Sequence, residues 1–426
     1  MKNSTMGELD MVDLDPDERT QIQLERLQST LNRAYRNVPF HHNRFSENGV
    51  DPSQIESIGD VAMLPFMERK HLSEHYPYGL FAVPLRDIVR IHTAPGTGLN
   101  PTVSGYTRQD LSEWRKMVAR ALTAADVTRH DIIQIVFEPG LANWGRDYKD
   151  SAETIEASVV PNTHLSIQKQ VMVLRDYKTS VLISTPSFAS QLAAYVFKTA
   201  LNPTALNLKT VILVGEPVDE AYRKKLEEQL HVRTWLHYGL SEVPGPAIAF
   251  ECELHNGLHV NEDHFLPEII DPQTGEVLPE EETGEIILTT LMTRAFPLIR
   301  FRTGDRARLI STTCACGRTL RRIEWYDQRT DDLINIHGVK VKCKQIMLHL
   351  EESLGFVPEC QHFIHKRPGE RDLLEVWVGV DENLFSDEIK ILEKFMDEVG
   401  VKLRENFGVP VIVRLKEKSS LEILSP

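Results

Sequence analysis

The stretch IHTAPGTGLNPTVSGY, residues 91–106, decides how the rest of the chain is interpreted. It combines three glycines and two prolines with several hydroxyl side chains. Because glycine has no Cβ, such a backbone can approach a bulky anion while its N–H and hydroxyl groups point toward it. A glycine- and threonine-rich turn between two strands is therefore a candidate triphosphate cradle. Turns of this kind usually carry a lysine, and Asn100 stands in its place.

Length and composition indicate a globular enzyme with more than one domain. A chain of 426 residues is long enough for two or three domains, and its hydrophobic content of 41% is ordinary. A net charge of −14 argues against general binding to nucleic acid or to an anionic membrane. The acidic start is unlike a signal or transit peptide, and no apolar run reaches the ~20 residues of a membrane span. We therefore expect a cytoplasmic enzyme, with residues 1–17 as a mobile leader.

Alternating apolar runs and helical patterns predict an α/β fold. Amphipathic helices are expected at residues 21–36 and 108–125. Between residues 132 and 238 strands and helices alternate, which indicates βαβ units and a mainly parallel, covered sheet. The strands are expected at 132–137, 159–160, 180–185, 210–215 and 234–238, and the helices at 166–177, 187–199 and 220–229.

The pattern changes after residue 240. Short strands separated by turn clusters predict an antiparallel, β-rich part, with strands at 248–253, 257–260, 267–270 and 284–289. Near residue 330 the pattern changes again, and the remainder has the size of a small α+β domain. Its expected helices lie at 344–352 and 387–407, and its expected strands include 374–380 and 409–415.

Nine short motifs, in one order along the chain, carry a family resemblance. They are RNVPF at 36–40, YPYGLFAVP at 76–84, RIHTAPGT at 90–97, STPS at 184–187, GEP at 215–217, YGLSE at 238–242, DHFLPE at 263–268, PLIRFRT at 297–303 and RTDD at 329–332. Together they resemble the phenylacetate–coenzyme A ligase family of adenylate-forming enzymes. The resemblance implies a large AMP-binding domain at 1–328 with a β-rich subdomain near 243–328. A hinge near 329–331 and a small mobile α+β domain at 332–426 would follow.

The resemblance also implies a two-step reaction. A carboxylate attacks the α-phosphate of ATP to give an acyl-adenylate and pyrophosphate, and the CoA thiol then displaces AMP. The implied nucleotide-binding residues are Gly96, Thr97, Glu216, Pro217, Tyr238, Gly239, Ser241 and Asp305. Glu242 would hold Mg2+, a hard cation that prefers oxygen ligands and phosphates. Arg329 would reach phosphate or ribose, and Asp331 would be the hinge between half-reactions.

Each of these assignments has a structural alternative. Tyr238 and Gly239 fit an ordinary exit from a strand into a turn. Asp305, in the sequence TGDR, fits a plain turn residue. Asp331 or its neighbour Asp332 fits a cap of the next element.

Three segments depart from the family pattern. The phosphate loop at 94–102 has lost its leading hydroxyls and its lysine, which should weaken ATP binding because each charge-assisted bond is worth ~1.5–3 kcal/mol. The chain also ends without the family's Gly-Lys segment, since neither Lys416 nor Lys418 stands in that pattern. The segment expected to line the acyl pocket carries Glu138, Asn143 and Arg146, which favours a polar or aminated aromatic acid over phenylacetate.

A possible metal centre is formed by Cys252, His259, Cys314 and Cys316. Three thiolates and one imidazole make a closed tetrahedral set that suits structural Zn2+, and a subset of the resembled family has a matching arrangement. His255 is the rival imidazole, and buried free thiols are the alternative to a metal site.

The sequence therefore predicts an ATP-dependent ligase that joins a carboxylic acid, expected to be aromatic, to CoA. The alternatives are an acyltransferase that performs a single half-reaction, with CoA or an amine as acceptor, and a catalytically silent nucleotide- or adenylate-binding protein. The expected partners are a small acid and CoA, with no nucleic acid and no membrane. The exposed face of the N-terminal helix is a candidate surface for a homodimer.

Overall fold

The computed structural model describes residues 14–94, 100–161, 165–243, 245–331, 333–336, 338–354, 359–365, 373–380, 389–407 and 409–417. The helices are α1 (Pro16–Asn37), α2 (Pro39–Glu47), α3 (Arg69–Glu74), α4 (Arg108–Ala124), α5 (Ala142–Thr154), α6 (Ile167–Asp176), α7 (Pro186–Lys198), α8 (Glu220–Leu230), α9 (Cys343–Leu354) and α10 (Ile389–Phe407). No helix in these ranges is both long and apolar enough to cross a bilayer.

Within the described residues the strands form four sheets, the largest of which has eleven strands. They are β1 (Ile88–Ala94), β2 (Thr102–Thr107), β3 (Ile132–Val136), β4 (Ser158–Val160), β5 (Val181–Ser184), β6 (Thr210–Val214), β7 (Arg233–Tyr238), β8 (Ala249–Glu251), β9 (Leu258–Val260), β10 (Phe265–Ile270), β11 (Gly284–Thr290), β12 (Phe301–Ile310), β13 (Arg322–Arg329), β14 (Leu333–Ile336), β15 (Val339–Lys342), β16 (Cys360–His365), β17 (Leu373–Val380) and β18 (Val411–Glu417).

One half of the large sheet is parallel. Its strands lie in the order β7, β6, β5, β3 and β4, and each neighbouring pair runs parallel. Every residue of β5 and β6 is buried, as expected for Val-, Ile- and Leu-rich strands with both faces covered. Helices α6, α7 and α8 connect these strands, so the predicted βαβ units are confirmed.

The antiparallel strands continue the same sheet. Strand β8 pairs antiparallel with β7, and the sheet then extends through β9, β13, β12, β11 and β10. The β-rich part is therefore joined to the parallel part edge to edge, without a gap. Strands β12 and β13 were not predicted because charged residues interrupt them. Those residues pair across the open face, as in the Arg308–Glu324 ion pair at 2.6 Å.

The N-terminal helix packs on this antiparallel part. Asp15 caps α1 and Pro16 occupies its first turn, so the helix starts earlier than the predicted residue 21. Its apolar side, including Leu27 and Leu31, packs against Leu266 and Leu291. Residues 1–13 of the predicted leader lie outside the described ranges.

The C-terminal part forms its own small sheet. Strands β17 and β18 run parallel and are connected through α10, while β16 pairs antiparallel with β17. The predicted fold class, a large α/β domain followed by a small α+β domain, is confirmed. The strand β16 was not predicted, and the proposed boundaries at 328 and 332 stay predictions.

Candidate active site and metal centre

A group of six charged side chains lies where the large sheet meets the hairpin β14–β15. We call it the charged cluster, and it consists of the acids Glu242, Asp305 and Asp331 and the cations Arg69, Arg329 and Lys340. The acids follow β7, lie within β12 and follow β13. The cations come from α3, β13 and β15. The fold thus collects residues from five separate segments at one place.

Asp305 lies at the centre of the charged cluster. It accepts hydrogen bonds from Tyr238 Oη at 2.9 Å and from Lys340 Nζ at 3.0 Å, and Arg329 bonds its other oxygen. Burial opposes ionisation of this carboxyl, but the charges of Lys340, Arg329 and Arg69 outweigh it and lower its pKa to about 2. Asp305 is therefore ionised at neutral pH, although it is almost fully buried.

Arg69 connects the other two acids. Its Nε lies 2.7 Å from Glu242 Oε1, and its Nη1 lies 3.0 Å from Asp331 Oδ2. Burial favours the neutral form of Glu242, but Arg69 and Lys340 outweigh it and lower the pKa of this carboxyl. The sequence offered no signal for Arg69, because its partners are 173 and 262 residues away.

Two buried polar atoms of the charged cluster have no hydrogen-bond partner within the described ranges. They are Arg69 Nη2 and Glu242 Oε2, one donor and one acceptor. Buried polar groups are nearly always paired, and an unpaired one costs ~1–3 kcal/mol. Arg69 Nη2 is therefore available to donate to an anionic group of a ligand. Glu242 Oε2 is available to a cation or to a hydrogen-bond donor of the same ligand.

Asp331 and Arg329 lock the end of β13. The guanidinium binds Asp331 through two bonds of 2.7 Å, and it donates to the Thr303 carbonyl oxygen at 2.9 Å. Gly304, at φ +72°, lies beneath this pair, and a Cβ there would collide with the Asp331 carboxylate. Only glycine therefore fits at residue 304, beneath the Asp331 carboxylate. Asp331 itself stands directly before the hairpin β14–β15.

The remaining nucleotide-site predictions fall on both sides of the charged cluster. Glu216 accepts a hydrogen bond from Ser187 Oγ at 2.7 Å, and with Pro217 it lines a cleft of about 1300 Å³ between α7, α8 and the antiparallel strands. Gly239 permits a tight turn, since a Cβ would lie 2.9 Å from Pro246 Cα. Tyr238 is fully buried with its ring edge-on to a tryptophan, so its ring is covered. Gly96 and Thr97 lie outside the described ranges.

A small cavity lies beside the candidate nucleotide site. Its lining residues are His92, Ala94, Gly140, Asn143, Trp144, Ser241, Val243 and Gly245. Asn143 therefore lines the cavity, as predicted for the acyl pocket, and its Nδ2 donates to the Thr93 carbonyl oxygen at 3.2 Å. Arg146 is exposed on α5, and neither it nor Glu138 is among the lining residues.

Behind Gly245, at the edge of this cavity, lies a buried carboxyl that sequence reasoning missed. A Cβ on Gly245 would collide with Asp147 Oδ2, and Gly245 has a φ of +54°. Arg90 lies 3.3 Å from Asp147 but 2.6 Å from Asp150. Burial raises the pKa of Asp147 to about 8 despite Arg90, and the nearby Asp150 adds to the effect.

The four predicted metal ligands lie together. The ligand atoms of Cys252, His259, Cys314 and Cys316 are all within 4.8 Å of one another, and we call them the thiol cluster. The Cys252–Cys314 sulfur distance is 3.7 Å, and Cys316 Sγ lies 3.4 Å from His259 Nε2. Zinc bonds of about 2.0–2.3 Å in a tetrahedron require similar edge lengths of roughly 3.4–3.8 Å.

The second histidine nitrogen is also fixed as a metal ligand requires. His259 Nδ1 donates to the Leu320 carbonyl oxygen at 3.3 Å, which directs Nε2 to the thiols. His255, the rival imidazole, instead lies with its Nδ1 3.2 Å from Glu251 Oε2. The geometry therefore favours His259. The Cys-x-Cys loop is held by α1, because Arg19 donates to the Thr319 carbonyl oxygen at 2.7 Å.

Comparisons with known proteins show which proteins this chain is similar to. The family model described as AMP-binding enzyme matches residues 156–292. A phenylacetate-coenzyme A ligase of Thermus thermophilus is 38% identical over 407 residues, which cover 92% of this chain and 91% of that protein.

Two solved structures of one enzyme, 2-hydroxyisobutyryl-CoA ligase, are similar to the whole fold. Its complex with 2-HIB-AMP and CoA in the thioesterification state gives a TM-score of 0.87 at 25% identity, covering 96% of this chain and 88% of that one. Its complex with 2-HIB-AMP in the postadenylation state gives 0.70 at the same identity and coverage. The present arrangement of the chain is thus closer to the first of these two states.

Proposed function

The chain belongs to the phenylacetate–coenzyme A ligase family, and we propose that it adenylates a small aromatic carboxylic acid with ATP and Mg2+ and transfers the acyl group to CoA. It is an acid–thiol ligase. The observation that carries the proposal is the charged cluster, in which Glu242, Asp305 and Arg329 lie side by side. Five separate segments of the chain contribute to it, and two of its buried atoms are available to a ligand.

In the first half-reaction the acid's carboxylate oxygen attacks the α-phosphorus, and the bond to pyrophosphate breaks. Asp305 would accept the ribose hydroxyls, as an ionised carboxylate can. Glu216 and Pro217 would border the adenine, because they form the inner wall of the large cleft. Tyr238 is fully buried with its ring edge-on to Trp325, so stacking on the base would require this ring to become uncovered.

The free Glu242 Oε2 fits a hard divalent cation. Mg2+ prefers carboxylate and phosphate oxygens and uses few protein ligands, so one buried carboxylate atom beside a phosphate site is an adequate donor. When bound there, Mg2+ would supply neutralisation of phosphate charge. The chain's own residues orient the nucleotide around it, with Ser241 as a further hydroxyl donor at the neighbouring cavity.

The hinge role follows from the Arg329–Asp331 lock. These residues end β13 directly before the hairpin β14–β15, so a rotation there would move the hairpin and the small domain as one unit. Asp331 also contacts Arg69 of the large domain, and breaking that bond would accompany the rotation.

The acid is proposed to be aromatic with a polar ring substituent. The cavity beside the nucleotide site has a volume of only about 10 Å³ and would have to widen to admit an aromatic ring. The polar side chains of His92, Asn143 and Ser241 line it. Burial, with the charges of Arg90 and Arg146, lowers the pKa of His92 to about 4, so this imidazole is neutral and can donate or accept a hydrogen bond. Glu138 and Arg146, also predicted for this pocket, would not contribute directly.

The thiol cluster is proposed to hold a structural Zn2+. All four protein ligands are present, which leaves no open position for a substrate. Zinc there would cross-link the turn after β8, strand β9 and the Cys-x-Cys loop. A cytoplasmic location and a homodimer through the exposed face of α1 stay predictions, the latter open to a mass measurement in solution.

The test is to incubate the protein with ATP, Mg2+, CoA and a panel of benzoates and phenylacetates that carry hydroxyl or amino groups. We expect AMP and acyl-CoA in equal amounts, with the substituted acids preferred. Best activity with phenylacetate itself would contradict the proposed pocket. Acyl-CoA formed only from a supplied acyl-adenylate would indicate a single half-reaction, and AMP binding without any turnover would indicate a silent protein.

A further inference from the structure

Within the described residues, neither of the two segments that carry a phosphate lysine in the resembled family brings a lysine to this site. Asn100, in the place of the loop lysine, is exposed, and both its backbone N–H and its Nδ2 donate to Ser73, at 3.1 and 3.2 Å. Near the C-terminus, Lys416 Nζ lies over the Trp377 ring at 4.5 Å, within the small sheet. Neither side chain is bonded to the charged cluster.

Arg69 provides one replacement. It belongs to α3 in the large domain, and its guanidinium stacks over the Phe301 ring at 5.5 Å while it binds Glu242. Its third nitrogen, Nη2, is buried without a partner within the described ranges. An unpaired buried guanidinium N–H is a strong donor to a phosphate oxygen.

Lys340 provides the second replacement for these lysines. It extends from β15 of the hairpin into the charged cluster, where Nζ lies 3.0 Å from Asp305 Oδ2. Burial lowers its pKa to about 8, Asp305 and Glu242 act in the opposite direction, and the ammonium form remains favoured at neutral pH. A buried lysine between two carboxylates that would flank ribose and phosphate is poorly explained by surface solvation.

We propose that Arg69 and Lys340 supply the phosphate-neutralising charge that Asn100 and Lys416 do not bring to this site, and that the two cations differ in the half-reactions in which they act. Arg69, fixed in the large domain, serves both. Lys340, carried by the hairpin, serves thioester formation only. The inference rests on the proposed ligase function.

The hairpin contacts support this division. Asn335 Nδ2 donates to the Gly215 carbonyl oxygen at 2.8 Å, next to the residues proposed to border adenine. Gly215 and Gly338 cross closely, since a Cβ on Gly215 would lie 3.1 Å from Gly338 Cα. This docked hairpin accompanies the higher TM-score to the thioesterification state. A rotation at Asp331 would withdraw Lys340 from the charged cluster and leave Arg69 in place.

The chemistry of the second step needs such a cation. The CoA thiol gives its proton to solvent, and its sulfur forms a bond to the acyl carbonyl carbon. The bond between that carbon and the AMP oxygen then breaks, and its electron pair stays on the phosphate. Because the leaving phosphate gains negative charge, a fixed ammonium beside it stabilises the transition state.

Two half-reaction assays test the division. Acid-dependent ATP–pyrophosphate exchange reports adenylation, and release of AMP from a supplied acyl-adenylate with CoA reports thioester formation. For Lys340→Met we expect exchange within about threefold of wild type and thioester formation reduced about 100-fold, the cost of one charged donor to a transition state. For Arg69→Gln we expect both rates to fall about 100-fold.

Lys416→Met is the matched control and should change neither rate. Lys340→Arg should restore at least part of thioester formation, and thermal unfolding confirms that each variant is folded. Equal losses in both assays for Lys340→Met, or no loss in either, would overturn the division. If wild type itself shows no exchange with any acid, the proposed function fails instead, so the two failures are distinguishable.

Discussion

The charged cluster and the thiol cluster differ in how their polar atoms are paired, although both lie on the antiparallel half of the large sheet. In the charged cluster each of the three acids bonds a cation, at 2.7 to 3.0 Å for the Arg69 and Lys340 pairs. In the thiol cluster four ligand atoms face one another within 4.8 Å. Internal ion pairs can exchange partners when a ligand enters, whereas converging thiol and imidazole groups form a closed set that could hold a metal ion. The first arrangement suits a site that changes during a reaction, and the second suits a permanent cross-link.

The two clusters are also anchored differently. The thiol cluster is held by neighbouring strands and by α1, which bonds the Cys-x-Cys loop. The charged cluster depends on the hairpin β14–β15, which is followed by the small domain. A movement of that domain would therefore change the charged cluster and leave the thiol cluster intact.

The largest expected effect is the removal of the metal. Cys314→Ser should reduce bound zinc from one ion per chain to near zero and lower the melting temperature by roughly 10 °C or more, because structural zinc sites contribute ~10–16 kcal/mol in small domains. Metal analysis and calorimetry measure both. Cys360→Ser, a half-buried thiol outside the thiol cluster, is the control. Wild type that is purified folded and zinc-free would contradict the assignment.

The second effect tests the charged cluster. Glu242→Gln keeps the shape but removes the charge that Arg69 and the proposed Mg2+ share. We expect adenylation to fall about 100- to 1000-fold, or ~3–4 kcal/mol of transition-state stabilisation. Glu156→Gln, which removes the exposed Arg129–Glu156 surface pair, should retain full activity. Unchanged pyrophosphate exchange in Glu242→Gln would remove this residue from the mechanism.

The third effect concerns Asp147, a carboxyl whose pKa is raised because the effect of burial exceeds that of the neighbouring Arg90. With a folded pKa of about 8 and an unfolded value of ~3.9, it holds a proton in the folded state that the unfolded chain loses. Its contribution is therefore full below pH ~4 and is lost as the pH rises to about 8, by up to ~1.4 kcal/mol per unit.

The substitution Asp147→Asn should remove this loss of unfolding free energy with rising pH. The difference in unfolding free energy between the variant and wild type should grow from pH 5 to pH 8 and then level off. Denaturant titrations at a series of pH values measure it. A constant difference would mean that Arg90 keeps Asp147 ionised throughout.

The smallest effect tests how the hairpin docks. Gly338 has a φ of +79°, and a Cβ there would lie 2.8 Å from Leu141 Cδ1. Gly338→Ala should therefore cost ~1–2 kcal/mol of docking and slow thioester formation about tenfold, with adenylation preserved. Gly400→Ala, in helix α10 with only ordinary contacts, is the control and should be neutral or slightly stabilising. Slower adenylation in Gly338→Ala would place the hairpin in the first half-reaction as well.

Local patterns predicted a large part of this molecule. The apolar strands β5 and β6 and the helices between them were predicted from their residues alone, since a strand buried on both faces is almost entirely Val, Ile and Leu. The four proposed metal ligands could be grouped because the Cys-x-Cys spacing is visible in one short segment, and the structure places them together. The motifs also indicated Glu242, Asp305, Arg329 and Asp331, which the fold brings into contact.

Other features depended on long-range contacts and were missed. Arg69 resembles any surface arginine in sequence, and only its bonds to Glu242 and Asp331 distinguish it. Lys340 stands in a short strand of alternating residues, and its burial is a consequence of where the hairpin docks. Charged strands such as β12 were missed because their polar residues pair across the sheet, which no local pattern records.

By itself, the sequence determined the fold class, the family and the kinds of chemistry available, because strand and helix periodicity and short motifs are local properties. The tertiary structure decided that the antiparallel strands extend one sheet, that His259 rather than His255 faces the thiols, and which cations lie beside the three acids. Those outcomes depend on distances between residues far apart in the chain. In the loop at 91–106 the sequence showed that a lysine is missing, and the fold supplied Arg69 and Lys340 as its proposed replacements.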